Sequence, residues 1–301
     1  MKLNRRIRGV IAVIILTATL GLFAYYVSTH LSIINELKQI NPWLLLLLLG
    51  CYGIMLLCWM SVYNATLSLC GKPLKTKENM LLSIYSTLAN FFLPLQSGPG
   101  VRATYLKRQH KVPIGSYIIA SLIYFSIYAI ISAVFLFTTS HYWWLIAPSV
   151  CAVALISYLF IRFAKKHYSK RFGQIILDFS PKKIAKLFLF TLCQLIVQAF
   201  IYGTELANIT NHIYIIRSIS YTGAANFSLF VSLTPGAIGF REAFLEFSRQ
   251  LHHYTTAQIL GANIIDRGVF LVFLVILLIA ALFTHALDRI NKLTKDEGNY
   301  S

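Results

Sequence analysis

The chain has 301 residues, of which 57% are hydrophobic and only 12% charged, with a mean hydropathy of +0.67. Soluble domains average about 25% charged residues, so the composition excludes a water-soluble protein and leaves an integral membrane protein. The formal charge of +17 does not call for nucleic acid, because basic residues of a polytopic protein gather in cytoplasmic loops and fix its orientation.

An apolar run of about 20 residues spans a bilayer. The first such run, 9–27, follows Lys2, Arg5, Arg6 and Arg8. It is too long for the core of a cleaved signal peptide and lacks a small-x-small cleavage site, so it reads as a retained span. Five more spans are predicted at 42–63, 113–138, 143–161, 184–206 and 258–287. Two stretches differ. The run 80–95 breaks into Gln96-Ser97-Gly98-Pro99-Gly100-Val101-Arg102, and the run 213–233 breaks into Thr234-Pro235-Gly236-Ala237-Ile238-Gly239-Phe240-Arg241.

Charge tests whether those two stretches cross. If each turns back to the face it entered from, 22 of the 27 basic residues and five of the ten acids fall on the cytoplasmic side, and the other half carries five of each and no net charge. A full crossing at 80–95 would instead send two basic clusters outside, against the positive-inside tendency. The expected fold is therefore an all-α polytopic membrane protein of six spans plus two antiparallel re-entrant, broken-helix hairpins. It forms one integral membrane domain over 1–301, with both termini in the cytoplasm and the chain in the inner (cytoplasmic) membrane.

The hairpins resemble each other. Ala89-Asn90-Phe91 precedes Gly100-x-Arg102, and Ala225-Asn226-Phe227 precedes Gly239-x-Arg241. Each lies between two spans of opposite sense, which makes 42–138 and 184–287 the halves of an inverted repeat. In transporters, Gly/Pro-interrupted segments at matching positions of such halves mark the substrate site. Broken backbone at membrane depth also demands a polar cavity or a protein partner.

Pro94, Pro99 and Pro235 end helices by removing a donor, and Gly98, Gly100, Gly236 and Gly239 permit close approach of a ligand. The restarting half-helix offers free N–H groups to an anion. Arg102 and Arg241 follow at once, and guanidinium matches phosphate bidentately. Arg102 also admits a plainer reading as one more cation of a basic loop, beside Lys107 and Arg108. Arg241 stands on the outer side and is followed by Glu242. In the last span Asp266-Arg267 places an acid and a base inside an apolar helix, where such residues face a cavity or pair with one another; Asp266 is expected to pair with Arg241 or Arg267. Glu205 and Arg217 read as exposed residues near the outer interface. The candidate substrate-binding set is thus Asn90, Gly98, Gly100, Arg102, Asn226, Pro235, Gly236, Gly239, Arg241, Glu242, Asp266 and Arg267.

These residues resemble the lysylphosphatidylglycerol synthase transmembrane region, or flippase-like, family. The similarity rests on Asn90 with Pro94, Gly98 and Arg102; on Thr234-Pro235-Gly236-x-x-Gly239-x-Arg241-Glu242-x-x-Leu245; and on Asp266-Arg267. It implies a lipid translocase that moves a phospholipid, an aminoacylated phosphatidylglycerol or a polyprenyl-phosphate-linked lipid between leaflets. The partner would be an anionic phospholipid or polyprenyl-phosphate lipid, together with a separate synthase or glycosyltransferase. Two-part members carry a soluble domain that transfers lysine to the lipid, and this sequence ends 14 residues after its last predicted span, so lysyl transfer is expected elsewhere. Two alternatives stay open: a membrane-embedded transferase with Asp266 or Glu242 as general base, and a secondary transporter of a small organic anion.

Other signals carry less. Gly98-x-Gly100-x-x-Ala103 matches a degenerate dinucleotide fingerprint without the strand that motif needs. The five cysteines form no Cys-x-x-Cys and read as buried thiols. No paired histidines at helical spacing and no Walker loop occur, so no metal, no cofactor and no nucleotide are expected. The segment 162–186 is basic with interleaved aromatics and reads as an interfacial linker on an anionic leaflet.

Overall fold

The computed structural model describes residues 41–92, 97–138, 142–172, 177–231 and 240–297. The predicted span at 9–27 lies outside the described residues, as do Pro94, Pro235, Gly236 and Gly239. The described elements are helical throughout. In chain order they are α1 (Pro42–Leu69), α2 (Thr76–Phe92), α3 (Gly98–His110), α4 (Ile114–Leu136), a 3-10 turn (Trp143–Leu145), α5 (Ile146–Phe172), α6 (Pro181–Thr210), α7 (Ile215–Val231), α8 (Phe240–Phe247), α9 (Arg249–His252) and α10 (Thr256–Glu297). Five of these segments, beginning at Pro42, Ile114, Trp143, Pro181 and Thr256, are long and apolar enough to cross a membrane. Together with the composition they make this a multi-pass membrane protein.

Local chemistry sets the helix ends. Asn41 caps α1 by accepting a hydrogen bond from the Trp43 amide at 2.9 Å, and Pro42 occupies the first helical position, where its missing donor costs nothing. Lys111 closes α3 in the left-handed conformation (φ 56°), and Pro113 follows, which prevents the helix from continuing. Asn211 ends α6 in the same way, at φ 55°.

A pattern of long, short, short, long helices occurs twice, as α1–α2–α3–α4 and as α6–α7–α8–α10, with α5 between the two sets and the short α9 inside the second. Within each set the two short helices pack against each other, α2 on α3 and α7 on α8. Contacts fix where their outer ends lie. Leu67 and Leu74, beside the end of α1, cluster with Leu82, Leu106, Val112 and Tyr117. The Asp178 amide bonds the Leu69 carbonyl at 2.8 Å, and Lys183 Nζ reaches the Ser68 carbonyl at 2.8 Å. The stretches 72–77, 107–111 and 177–186, all rich in lysine, therefore share one end of the bundle. At the end of α4, Ser220 Oγ donates to the Leu136 carbonyl at 2.6 Å and to the Leu251 carbonyl at 3.3 Å, which gathers α4, α7 and α9.

Close packing makes two glycines necessary. A Cβ on Gly223 would meet the Leu136 backbone nitrogen at 2.4 Å, and one on Gly98 would meet Asn90 Oδ1 at 2.5 Å and the Ser86 carbonyl at 2.6 Å. Helix α5 is the opposite case. It packs on α4, none of the residues in its apolar window is buried, and Leu155, Tyr158, Phe160 and Phe163 are exposed. An apolar surface of that extent belongs against lipid rather than water.

Candidate functional site

Both sets of helices line one cavity of about 250 Å³. The first set contributes Tyr52 and Tyr63 from α1, Asn90 from α2, Arg102 from α3 and Tyr124 and Tyr128 from α4. The second contributes Gln194, Gln198 and Tyr202 from α6, Arg241 from α8 and Asp266 and Arg267 from α10. Residues far apart in the chain thus converge because the short helices of each set bring their arginines to the middle of the bundle.

Arg102 is 5% exposed and sits one turn inside α3. Its Nε donates to the Tyr117 hydroxyl at 2.8 Å, and its guanidinium lies 3.7 Å from the centroid of the Tyr63 ring. Nη1 is buried without a partner, and among the described residues no carboxylate pairs with this arginine. A desolvated cation–π contact is worth about 2 kcal/mol, and a hydrogen bond to a charged group about 1.5–3 kcal/mol. Burying a lone cation costs several kcal/mol, so these neutral partners offset the charge without neutralising it.

Arg241 is satisfied differently. Its Nη1 donates to Asp266 Oδ2, and Asp266 Oδ1 accepts from the Tyr52 hydroxyl. The guanidinium lies 4.8 Å from the Tyr202 ring centroid, while Nε and Nη2 are buried without partners. One residue further along each helix, Arg267 Nη2 donates to Glu242 Oε1. The dipeptides Arg241-Glu242 and Asp266-Arg267 therefore interlock as two opposed ion pairs between α8 and α10. Of the two partners considered for Asp266, Arg241 is the one it takes.

The remaining sequence-predicted residues fall around this centre. Asn90 Oδ1 accepts from the Gly98 amide at 2.7 Å, which ties the end of α2 to the start of α3. Gly98 is thereby explained by close approach of Asn90, and Gly100 is exposed with open space around it. Asn226 is fully buried, accepts from Tyr128 at 2.7 Å and donates to Ser132 Oγ at 3.2 Å, joining α7 to α4 rather than facing the cavity.

Expectations are overturned at two cysteines and at Glu205: Cys151 and Cys193 are exposed rather than buried thiols. Glu205 is not exposed near an interface but 0% exposed, and both its carboxyl oxygens lack partners. The sequence position near the end of an apolar run suggested a rim, whereas α6 is 30 residues long and packs on α1, α7 and α10 there. Arg217 is half-buried, with its guanidinium 4.6 Å from the Tyr214 ring centroid.

Sequence reasoning also missed a polar wall. Tyr124 donates to Gln194 at 3.3 Å, Tyr128 approaches Gln198 at 3.5 Å, and Gln198 Nε2 donates to the Tyr202 hydroxyl at 3.0 Å. The signal was present as two pairs at i, i+4 spacing, which puts each pair on one helix face: Tyr124 with Tyr128, and Gln194 with Gln198.

A family model described as the lysylphosphatidylglycerol synthase TM region matches residues 9–278. No curated protein and no solved structure matches the chain.

Proposed function

The chain belongs to the lysylphosphatidylglycerol synthase transmembrane region family, and from that membership and the arginine-lined cavity we propose that it is a lipid translocase. The phosphate of a phospholipid, an aminoacylated phosphatidylglycerol or a polyprenyl-phosphate-linked lipid binds Arg102 Nη1 and the free nitrogens of Arg241, while the acyl chains stay in the bilayer. The observation that carries this reading is Arg102, a buried cation whose partners among the described residues are all neutral. An anion completes it.

Size supports a headgroup as the occupant. Pockets for drug-sized ligands run from about 300 to 1,000 Å³, so 250 Å³ suits a headgroup and not a whole lipid. Helix lengths support re-entrant hairpins. With 17, 13, 17 and 8 residues at about 1.5 Å per residue, none of α2, α3, α7 and α8 reaches across a hydrocarbon core of about 30 Å. In this reading the α2–α3 pair enters from the lysine-rich end, the cytoplasmic side of an inner membrane, and the α7–α8 pair enters from the other face. Alternating exposure of the arginines to the two faces then carries the phosphate across. Net movement requires the two exposed states to bind it unequally or a gradient to drive it.

Reconstitution of the full chain into vesicles with fluorescent phosphatidylglycerol tests the proposal. Protein-dependent leaflet exchange that falls at least tenfold in Arg102→Gln is the expected result. Exchange at the wild-type rate in that variant overturns the role of Arg102. Absence of exchange with appearance of a modified lipid favours a transferase instead.

A further inference from the structure

Glu205 is the one buried carboxyl of the described chain for which neither oxygen has a partner. Asp266, by contrast, is held by Arg241 and Tyr52, and Glu242 by Arg267. The groups around Glu205 come from every element against it. Tyr52 lies on α1, Tyr202 on α6 itself, Tyr221 on α7, Arg241 on α8 and Asp266 on α10, all close enough to act on its charge or be acted on by it. Helix α4, which also packs on α6, brings Tyr128, whose hydroxyl is taken by Asn226 and Gln198. Among the described residues Arg241 is thus the only cation acting on Glu205. It spends Nη1 on Asp266 and keeps Nε and Nη2 unpartnered.

Two anions compete for those two nitrogens. A carboxylate stripped of water and of hydrogen bonds is costly, so Glu205 has two ways to be stable here: to carry a proton, or to take Arg241. A lipid phosphate bound to Arg241 removes the second.

We propose that Glu205 is a proton-binding site linked to anion binding at Arg241, so that the lipid phosphate and one proton occupy the protein together and leave together. The inference rests on the translocase reading. On release, the Glu205 O–H bond breaks and the proton goes to water in the compartment then facing the cavity. The Arg241 N–H groups pass from the phosphate oxygens to the carboxylate. Because linkage is reciprocal, protonation of Glu205 strengthens phosphate binding as much as bound phosphate strengthens proton binding. A transmembrane proton gradient would then give the exchange a direction.

The test uses the full chain in detergent micelles, titrated with dioleoyl-phosphatidylglycerol, a phosphodiester that keeps a single charge, between pH 5 and 9, roughly the range a linked carboxyl and phosphate can explore. Affinity should fall as pH rises, by up to about tenfold per pH unit where one proton is fully linked. A pH-indicator dye in weak buffer should report proton uptake on binding in the same window. Glu205→Gln should remove both the slope and the uptake, and Glu205→Asp should keep the slope with its midpoint displaced. Binding with no slope, a slope unchanged in Glu205→Gln, or a midpoint unmoved in Glu205→Asp overturns the proton site alone. Failure to bind the lipid at any pH overturns the translocase reading beneath it.

Discussion

The two broken helix pairs carry the same short motif and use it differently. In the first, Asn90 bonds the Gly98 amide across the break, so the pair closes on itself, and Glu78 at the far end adds bonds from Tyr105 and His110. In the second, the equivalent Asn226 reaches out to Tyr128 and Ser132 on α4, and Arg241-Glu242 locks onto Asp266-Arg267 on α10. One arginine is held by phenols and the other by a carboxylate. The first pair is therefore closed on itself at its break and reaches the bundle through neutral groups, Arg102 to Tyr117 and Tyr63 and Asn79 to the Met60 carbonyl, whereas the second reaches it through ion pairs, and among the described residues the first leaves its cation short of an anion.

Breaking the second pair from its bundle should have the largest effect. Asp266→Ala takes from Arg241 the carboxylate it is bonded to, and removal of one member of a buried pair costs about 3–5 kcal/mol. Thermal unfolding in detergent should show a loss of that size. The double change Arg241→Met, Asp266→Leu should recover most of the stability but no lipid binding, since an apolar replacement of both partners is often neutral.

A smaller cost is expected where the first pair closes. A Cβ at position 98 collides with the Asn90 side chain and the Ser86 backbone, and overpacking of this kind costs about 1–3 kcal/mol. Gly98→Ala should be destabilised by that amount while Gly100→Ala, which meets open space, stays within about 0.5 kcal/mol of wild type. Equal effects at the two positions would remove the distinction between a closing contact and a surface glycine.

Two pH effects sharpen the comparison further. Burial pushes the His252 imidazole down to about 4 from an ordinary value of 6.5, against the opposing hydrogen bond to the Leu245 carbonyl. The unfolded chain then binds the proton more readily, so stability present above pH 6.5 is lost as pH falls toward 4. His252→Gln should flatten that part of the pH–stability curve. At Glu78, partial burial opposes the charge, but hydrogen bonds from Tyr105 and His110 and the charges of His110 and Lys75 outweigh it and hold the carboxyl below its ordinary 4.5. Its contribution is present above that value and is lost in more acidic solution. Because the group is partly exposed the effect is the smallest of the set, and Glu78→Gln should remove it.

Much of this was legible in the linear chain. The described spans and the family follow from runs of apolar residues and from the spacing of short motifs, all of them local properties of the backbone and its solvent. Asp266 and Arg267 stood out because charge inside an apolar run is too costly to be incidental, and Arg102 and Arg241 because each follows a Gly/Pro-rich stretch where a restarting helix offers N–H groups to an anion. Partnership was not legible. Whether Asp266 took Arg241 or Arg267, and whether Asn226 faced a ligand or α4, depends on the rotation of each helix about its own axis, which packing sets and no single segment encodes. Glu205 is the clearest instance: by position it read as a rim residue, and only the approach of α1, α7 and α10 to α6 strips it of water and leaves it beside Arg241.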